Sequence, residues 1–288
     1  MIERLFAILY TAVMKNRVHL LPNVITAFGL SCGLFLIFKM SLTPSAEIEI
    51  TTLTFGVAVL LLAAFADLLD GAVARAIGAE SAFGGYFDSL SDAVTFGVAP
   101  SVVILKTFSP TVGSSLSFFL TTSAMIFSVC GVLRLVRFNV ASQISKEDTE
   151  LLMAHRKNFT GLPIPAAASA AVSANLFLIF WSHEALLFPW VMCVALTLLG
   201  YLMVCRLKFP SLKTLHLRVG SFRSVFLTVI FVVLFFYGLL HYFPIVFFLS
   251  SWGYIAFALL CSLIRKIGGG RPKTLEEFEP EPDELGES

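Results

Sequence analysis

The chain has 288 residues, of which 57% are hydrophobic and 14% are charged, and its mean hydropathy is +0.88. This composition excludes a soluble globular domain and is typical of a protein with several membrane spans. The net charge of +1 by itself indicates no partner, and we expect none among nucleic acids. We therefore predict an all-α integral membrane protein.

The first 20 residues are too short and too charged to form a membrane span. Apolar side chains nevertheless recur there at helical spacing, at Ile2, Leu5, Phe6, Leu9 and Val13. This pattern predicts an amphipathic helix over residues 1–20 that lies at the membrane interface.

Residues 21–267 contain apolar stretches that are long enough to cross a bilayer. They predict about eight transmembrane helices, at residues 21–39, 53–76, 84–107, 116–138, 163–181, 186–204, 225–243 and 246–264. The last residues, 268–288, are rich in glutamate and proline after a short glycine run. We expect a flexible acidic tail without a packed core there.

The lysines and arginines are distributed very unevenly between the predicted loops. If the N-terminus is placed in the cytoplasm, all of the 20 basic residues except Lys39 and Lys106 fall on the cytoplasmic side. Such a bias follows the positive-inside rule, so we expect both termini to be cytoplasmic.

Four aspartates lie inside the second and third predicted spans, where charged groups are costly and usually functional: Asp67, Asp70, Asp88 and Asp92. On a helix, Asp67 and Asp70 share one face, and Asp88 and Asp92 share one face of the next helix. Two facing helices would bring the four carboxylates together near the cytoplasmic side. One neighbouring arginine, Arg75, leaves net negative charge that a divalent cation can neutralise.

Carboxylate oxygens favour hard cations, so we predict Mg²⁺ or Mn²⁺ at this group. The four carboxylates can surround one ion or two, and a pair of ions suits phosphoryl chemistry. No histidine or cysteine joins the group, which argues against zinc. Hard cations suit phosphoryl chemistry, and the fourth carboxylate is available to accept a proton.

Two other interpretations of the four acids stay open. The acids could simply pair with basic loop residues, although they lie inside the helices and the loops lie at the helix ends. They could also line the pathway of a divalent cation transporter. Against transport, all four acids cluster at one predicted membrane face.

The run from Asp67 to Asp92 resembles the signature of the CDP-alcohol phosphatidyltransferases, Asp-x2-Asp-Gly-x2-Ala-Arg-x8-Gly-x3-Asp-x3-Asp. Every fixed position of that signature is matched in this chain. The resemblance implies that an alcohol attacks the lipid-linked phosphate of a CDP-alcohol and that CMP leaves. It also implies a homodimer.

The same resemblance implies a role for each motif residue. Asp67, Asp70 and Asp88 would bind the metals. Asp92 would act as the general base and also touch the second metal. Contacts to the CDP moiety are implied for a larger set: Asp67, Asp70, Gly71, Ala74, Arg75 and Gly84.

Three further segments resemble the bacterial and archaeal members of the family that use serine as acceptor. They are Leu21–Thr26, Leu133–Val140 and Phe159–Ala167. The resemblance implies that the substrates are CDP-diacylglycerol and L-serine. It also implies that the protein is embedded in the lipid of a bacterial or archaeal cytoplasmic membrane. Glycerol 3-phosphate and inositol phosphate remain alternative acceptors.

Two pairs of residues in these segments have both a structural and a functional interpretation. Asn23 and Thr26 are expected either to cap a helix behind Pro22 or to contact the CDP moiety. Arg134 and Arg137 lie one turn apart. They are either flanking charges that snorkel or a cationic pair that holds the serine carboxylate or a substrate phosphate.

Overall fold

The computed structural model describes residues 2–79, 81–111, 113–144, 159–181, 187–205, 208–209, 238 and 241–267. The main elements of these described residues are eight α-helices: α1 (Ile2–Leu42), α2 (Ile50–Ala76), α3 (Ala82–Asp92), α4 (Ala99–Phe108), α5 (Ser115–Ile144), α6 (Ile164–Trp181), α7 (Phe188–Val204) and α8 (Phe243–Ile267). A π-helical segment, Ala93–Val98, joins α3 to α4. A 3₁₀ turn (Ser45–Glu47) precedes α2, and two short strands, β1 (Phe159–Thr160) and β2 (Lys208–Phe209), pair antiparallel.

The described residues contain six helices that are long and apolar enough to cross a membrane. They are Leu20–Leu42, Ile50–Ala76, Ala82–Phe108, Ser115–Val140, Ile164–Trp181 and Phe243–Ser262. A seventh apolar helix, α7, is shorter, at 17 residues. The chain is therefore an all-α integral membrane protein, as predicted. The span expected at residues 225–243 lies almost entirely outside the described residues, as does the tail at residues 268–288.

The first helix runs from Ile2 to Leu42 without a break, with Pro22 inside it. The N-terminal segment is therefore helical, and its position at the membrane interface stays a prediction. The interpretation of Asn23 as the cap of a helix that begins behind Pro22 is wrong. A cap residue stands at the boundary of a helix, whereas Asn23 lies in the interior of one.

Small side chains set how closely the helices pack around α6. Its inward face is buried and rich in alanine, and it packs against α2, α4, α7 and α8. The π segment approaches α1 just as closely, since a Cβ added at Gly33 would lie 2.8 Å from the Cα of Thr95. The outward faces of α1, α2 and α5 carry exposed aromatic side chains such as Phe35, Phe65 and Phe118, which suit contact with lipid.

The π segment follows Asp92 directly and widens the helix by one residue in that turn. Its backbone carbonyl at Gly97 accepts a hydrogen bond from Ser128 of α5, over 2.8 Å. The hydroxyl of Thr95 lies 3.5 Å from the carbonyl oxygen of Gly29 on α1. These contacts fix the irregular turn between α1 and α5, and with it the end of α3.

Candidate active site

A tight connection places the end of α2 beside the start of α3. The turn after α2 passes through Gly78 at φ +63°, a conformation that favours glycine. Ser81 then caps α3, because its hydroxyl accepts a hydrogen bond from the backbone N–H of Gly84 over 3.0 Å. The chain therefore passes from α2 into α3 through a short turn, and α3 packs against α1.

This arrangement gathers the predicted acids. Carboxylate oxygens of Asp67, Asp70 and Asp88 all lie within 4.8 Å of one another. Asp70 is only 4% exposed, whereas Asp67 and Asp88 are half-buried. Asp92 lines the same cavity one turn further along α3. We call these four residues the carboxylate cluster.

The carboxylate cluster has the composition and spacing of a metal site. Three close carboxylates of like charge repel one another unless a proton or a cation lies between them. Their oxygens are the donors that hard divalent cations prefer. Among the described residues, no histidine or cysteine lies in this group of ligands. The residues present therefore fit a hard metal ion and not zinc.

Helix α1 contributes two polar side chains to the site. The Thr26 hydroxyl is buried and donates to a carboxylate oxygen of Asp70 over 2.5 Å. Asn23 faces the start of α3, since a Cβ added at Gly84 would lie 3.2 Å from its Oδ1. The absence of a side chain at Gly84 thus leaves room between α1 and α3. The structure brings both predicted α1 residues to the carboxylate cluster or its edge.

The motif residues after Asp70 lie at the exposed end of α2. The guanidinium of Arg75 folds back over Gly71, with Nη1 3.3 Å from the position of an added Cβ, and its charge acts on Asp70. Ala74, one turn after Asp70, is half-buried. A Cβ at position 71 would press against the end of this arginine, which would have to shift by a few tenths of an ångström.

Two residues from later helices approach Asp92. Arg134 of α5 lies close enough for its charge to act on the Asp92 carboxylate, and Tyr254 of α8 lies near the same guanidinium. The Arg134 Nε atom is buried and has no hydrogen-bond partner. A buried donor in this state is suited to meet an acceptor on a bound molecule.

The structure gives Arg137 different surroundings from Arg134. Its Nη1 atom lies 3.5 Å from the carbonyl oxygen of Val204, at the end of α7. A cation at that place interacts favourably with the carboxyl end of a helix. A cationic pair was one of two interpretations of these arginines, and of the two it is Arg134 whose charge acts on Asp92.

Several residues of the cavity were not singled out from the sequence: Gly29, Ala63, Ser91, Thr95 and Phe96. Ser91 and Thr95 could have been found, because they continue the helical spacing of Asp88 and Asp92. Tyr254 carried no such signal, since only the packing of α8 brings it to Arg134.

Comparison with known proteins agrees with this geometry. The family model for CDP-alcohol phosphatidyltransferases matches residues 19–202, more than half of the chain. A CDP-diacylglycerol–serine O-phosphatidyltransferase of Helicobacter pylori (strain ATCC 700392 / 26695) is 31% identical over 224 residues, which is 75% of this chain and 84% of that relative.

Two further bacterial proteins with the same name are also similar to this chain. The Mycobacterium leprae (strain TN) protein is 32% identical over 197 residues, 68% of this chain and 60% of the relative. The Bacillus subtilis (strain 168) protein is 31% identical over 193 residues, 67% of this chain and 91% of the relative. By the extent of the family match and by these identities, the chain belongs to the CDP-alcohol phosphatidyltransferase family.

Proposed function

We propose that this protein transfers the phosphatidyl group of CDP-diacylglycerol to L-serine, giving phosphatidylserine and CMP. The observation that carries the proposal is the carboxylate cluster, in which three carboxylates lie within 4.8 Å and Asp92 lines the same cavity. The names of the relatives at 31% and 32% identity support serine as the acceptor.

Asp67, Asp70 and Asp88 would hold divalent cations, Mg²⁺ or Mn²⁺, and Asp92 would touch the second of two ions. When bound, such ions neutralise phosphate charge and orient the reacting oxygens. Thr26 fixes one of these ligands, because its hydroxyl is hydrogen-bonded to Asp70. A fixed ligand oxygen loses less freedom when an ion binds.

The CDP moiety would bind where α1, α2 and α3 meet. Asn23 and Thr26 supply polar groups from α1, and Arg75 supplies positive charge for the phosphates from α2. Gly71, Ala74 and Gly84 keep side-chain bulk away, so that the nucleotide can approach the backbone. Asp67 and Asp70 lie at the border between this surface and the metal ligands.

Asp92 would act as general base. It accepts the proton of the serine hydroxyl while that oxygen forms a bond to the lipid-linked phosphorus and the bond from phosphorus to the CMP oxygen breaks. Arg134 lies beside Asp92 with a buried Nε that has no partner, so it is well placed to bind the serine carboxylate. Arg137 is a second proposed acceptor contact, although its guanidinium meets the end of α7.

A cytoplasmic active site is part of the proposal, as are cytoplasmic termini and a homodimer. The charge asymmetry of the loops supports the orientation. In a functional variant without native cysteines, Ala82→Cys should react with an impermeant thiol reagent from the cytoplasmic side only. Ser45→Cys should react from the outside only, and the reverse pattern would overturn the orientation.

The test of the reaction is product identity. Purified protein is supplied with CDP-diacylglycerol, Mg²⁺ or Mn²⁺, and one acceptor at a time: L-serine, glycerol 3-phosphate or inositol phosphate. Phosphatidylserine and CMP in equal amounts support the proposal. Product from a phosphorylated acceptor alone would replace serine but keep the chemistry. No CMP with any acceptor, together with metal uptake into vesicles, would favour the cation transporter.

A further inference from the structure

A pair of side chains that occupies no fixed position of the family signature joins two helices of the site. Asn139 of α5 donates from Nδ2 to the hydroxyl oxygen of Ser89 on α3 over 2.9 Å. The Ser89 hydroxyl in turn lies 3.1 Å from the carbonyl oxygen of Gly85 and 3.2 Å from Oδ1 of Asn139. Both residues are half-buried. The pair is therefore a well-formed hydrogen-bonded contact between side chains 50 residues apart.

The position of this pair connects the two halves of the proposed site. Ser89 follows the metal ligand Asp88 directly and stands almost one turn before Asp92. Asn139 stands on the same helix as Arg134. Asp92 lies on α3 and Arg134 on α5, close enough for their charges to interact, and the Ser89–Asn139 pair crosses between the same two helices.

The packing of α5 explains why a hydrogen bond between α3 and α5 can matter for the site. This helix packs along α7, the π segment and α4, and it reaches α3 through the Ser89–Asn139 contact. Because α3 and α5 share few contacts in the described residues, this pair is well placed to influence the separation of the two helices. One hydrogen bond is too weak to hold the fold together, but it is sufficient to bias a spacing on which substrate binding depends.

We propose that Ser89 and Asn139 form a positioning pair that sets the distance between α3 and α5, and through it the fit of the acceptor between Asp92 and Arg134. This inference rests on the proposed function for the identity of the acceptor. Neither residue touches the substrate in this account. They act through the placement of Asp92 and Arg134, so their loss raises the KM of the acceptor and leaves the KM of CDP-diacylglycerol unchanged.

The test is a double-mutant cycle measured by CMP release in mixed micelles. Ser89→Ala and Asn139→Ala should each raise the KM for serine about three- to ten-fold, as expected for the loss of one hydrogen bond. The double variant should be no worse than the poorer single variant, because both changes remove the same contact. The exchanged variant, Ser89→Asn with Asn139→Ser, should return the KM to within about two-fold, since it restores one donor and one acceptor.

A matched control separates this contact from a general loss of a hydroxyl. Ser31 on α1 bonds to a carbonyl one turn earlier in its own helix, Ala27, as Ser89 does to Gly85. Ser31→Ala should leave both KM values unchanged. Ser89→Thr keeps the hydroxyl and should resemble the wild type even if Ser89→Ala proves difficult to purify.

Two results would overturn the inference: additive effects of the single changes, or an equal rise in the KM of both substrates. Failure of the proposed function looks different, because the wild type would then yield no phosphatidylserine. The cycle would in that case be measured with the acceptor that the wild type does use. An additive cycle with that acceptor would reject the positioning pair independently.

Discussion

Among the described residues, two groups of polar side chains inside the helical bundle meet their hydrogen-bonding needs in different ways. The neutral group is formed by Ser101, Thr107, Ser128 and Asn175, and its hydrogen bonds run between helices: Ser101 to Ser128 over 2.9 Å, and Asn175 Nδ2 to Thr107 over 3.0 Å. The carboxylate cluster instead brings like charges together, with Thr26, Arg75 and Arg134 as its polar neighbours.

The difference shows what each group needs from outside the chain. Neutral donors and acceptors can satisfy one another within the protein, and a carboxylate cannot donate to another carboxylate unless one is protonated. Among the described residues, two buried side-chain atoms have no hydrogen-bond partner, Asn175 Oδ1 and Arg134 Nε. The unpartnered atom in the neutral group, Asn175 Oδ1, is an acceptor. The unpartnered atom near Asp92, Arg134 Nε, is a cationic donor that suits an anionic substrate.

Removal of the metal should have the largest effect on the activity that depends on the carboxylate cluster. A chelator should reduce CMP release to the background rate, and added Mg²⁺ or Mn²⁺ should restore it, because the remaining carboxylates repel one another and the substrate phosphates. Asp70→Asn should lower metal affinity and turnover together. The measurement is CMP release against metal concentration, and full activity in excess chelator would reject the metal site.

The spacing of the four aspartates was enough to predict that α2 and α3 would present them together, because helical geometry fixes which residues share a face. The same reasoning could not find Tyr254 or the Ser89–Asn139 contact, whose partners meet only through the packing of distant helices. One of the two interpretations of Asn23 also placed a helix boundary behind Pro22, where α1 runs on. Proline usually begins or ends a helix because it lacks a backbone N–H, and α1 nevertheless continues through Pro22.

Loss of the proposed base should have the next largest effect. Asp92→Asn keeps the size of the side chain but cannot accept the serine proton, so kcat should fall about 10²–10⁴-fold. Binding of CDP-diacylglycerol should persist, because Asp67, Asp70 and Asp88 remain. Turnover and liponucleotide binding measured on the same preparation test this separation. A variant with normal kcat would move the base elsewhere.

Lysine substitutions at the two arginines, Arg134 and Arg137, should change the KM for serine to different extents. Arg134→Lys should raise the KM for serine about ten-fold, because lysine cannot reproduce a planar, bidentate contact with a carboxylate. Arg137→Lys should have a smaller effect, since Arg137 contacts the carbonyl oxygen of Val204 and lysine can also approach a helix end. Steady-state KM values for serine and CDP-diacylglycerol decide between them. A rise in the KM of CDP-diacylglycerol alone would assign Arg134 to the lipid-linked phosphate.

Changes in the neutral group should lower the stability of the protein and leave kcat nearly unchanged. Ser128 donates to the carbonyl oxygen of Gly97 in the π segment over 2.8 Å, so Ser128→Val would leave that buried carbonyl without its partner. The expected cost is about 1–3 kcal/mol, seen as a lower Tm in detergent. Ser128→Thr has nearly the same shape as the valine variant and keeps the hydroxyl, so its Tm should stay close to that of the wild type. Because neither change adds or removes charge near the carboxylate cluster, kcat below the transition should vary by less than ten-fold. A valine variant with unchanged Tm but a larger loss of turnover would show that the neutral group serves the chemistry directly, through the π segment that follows Asp92.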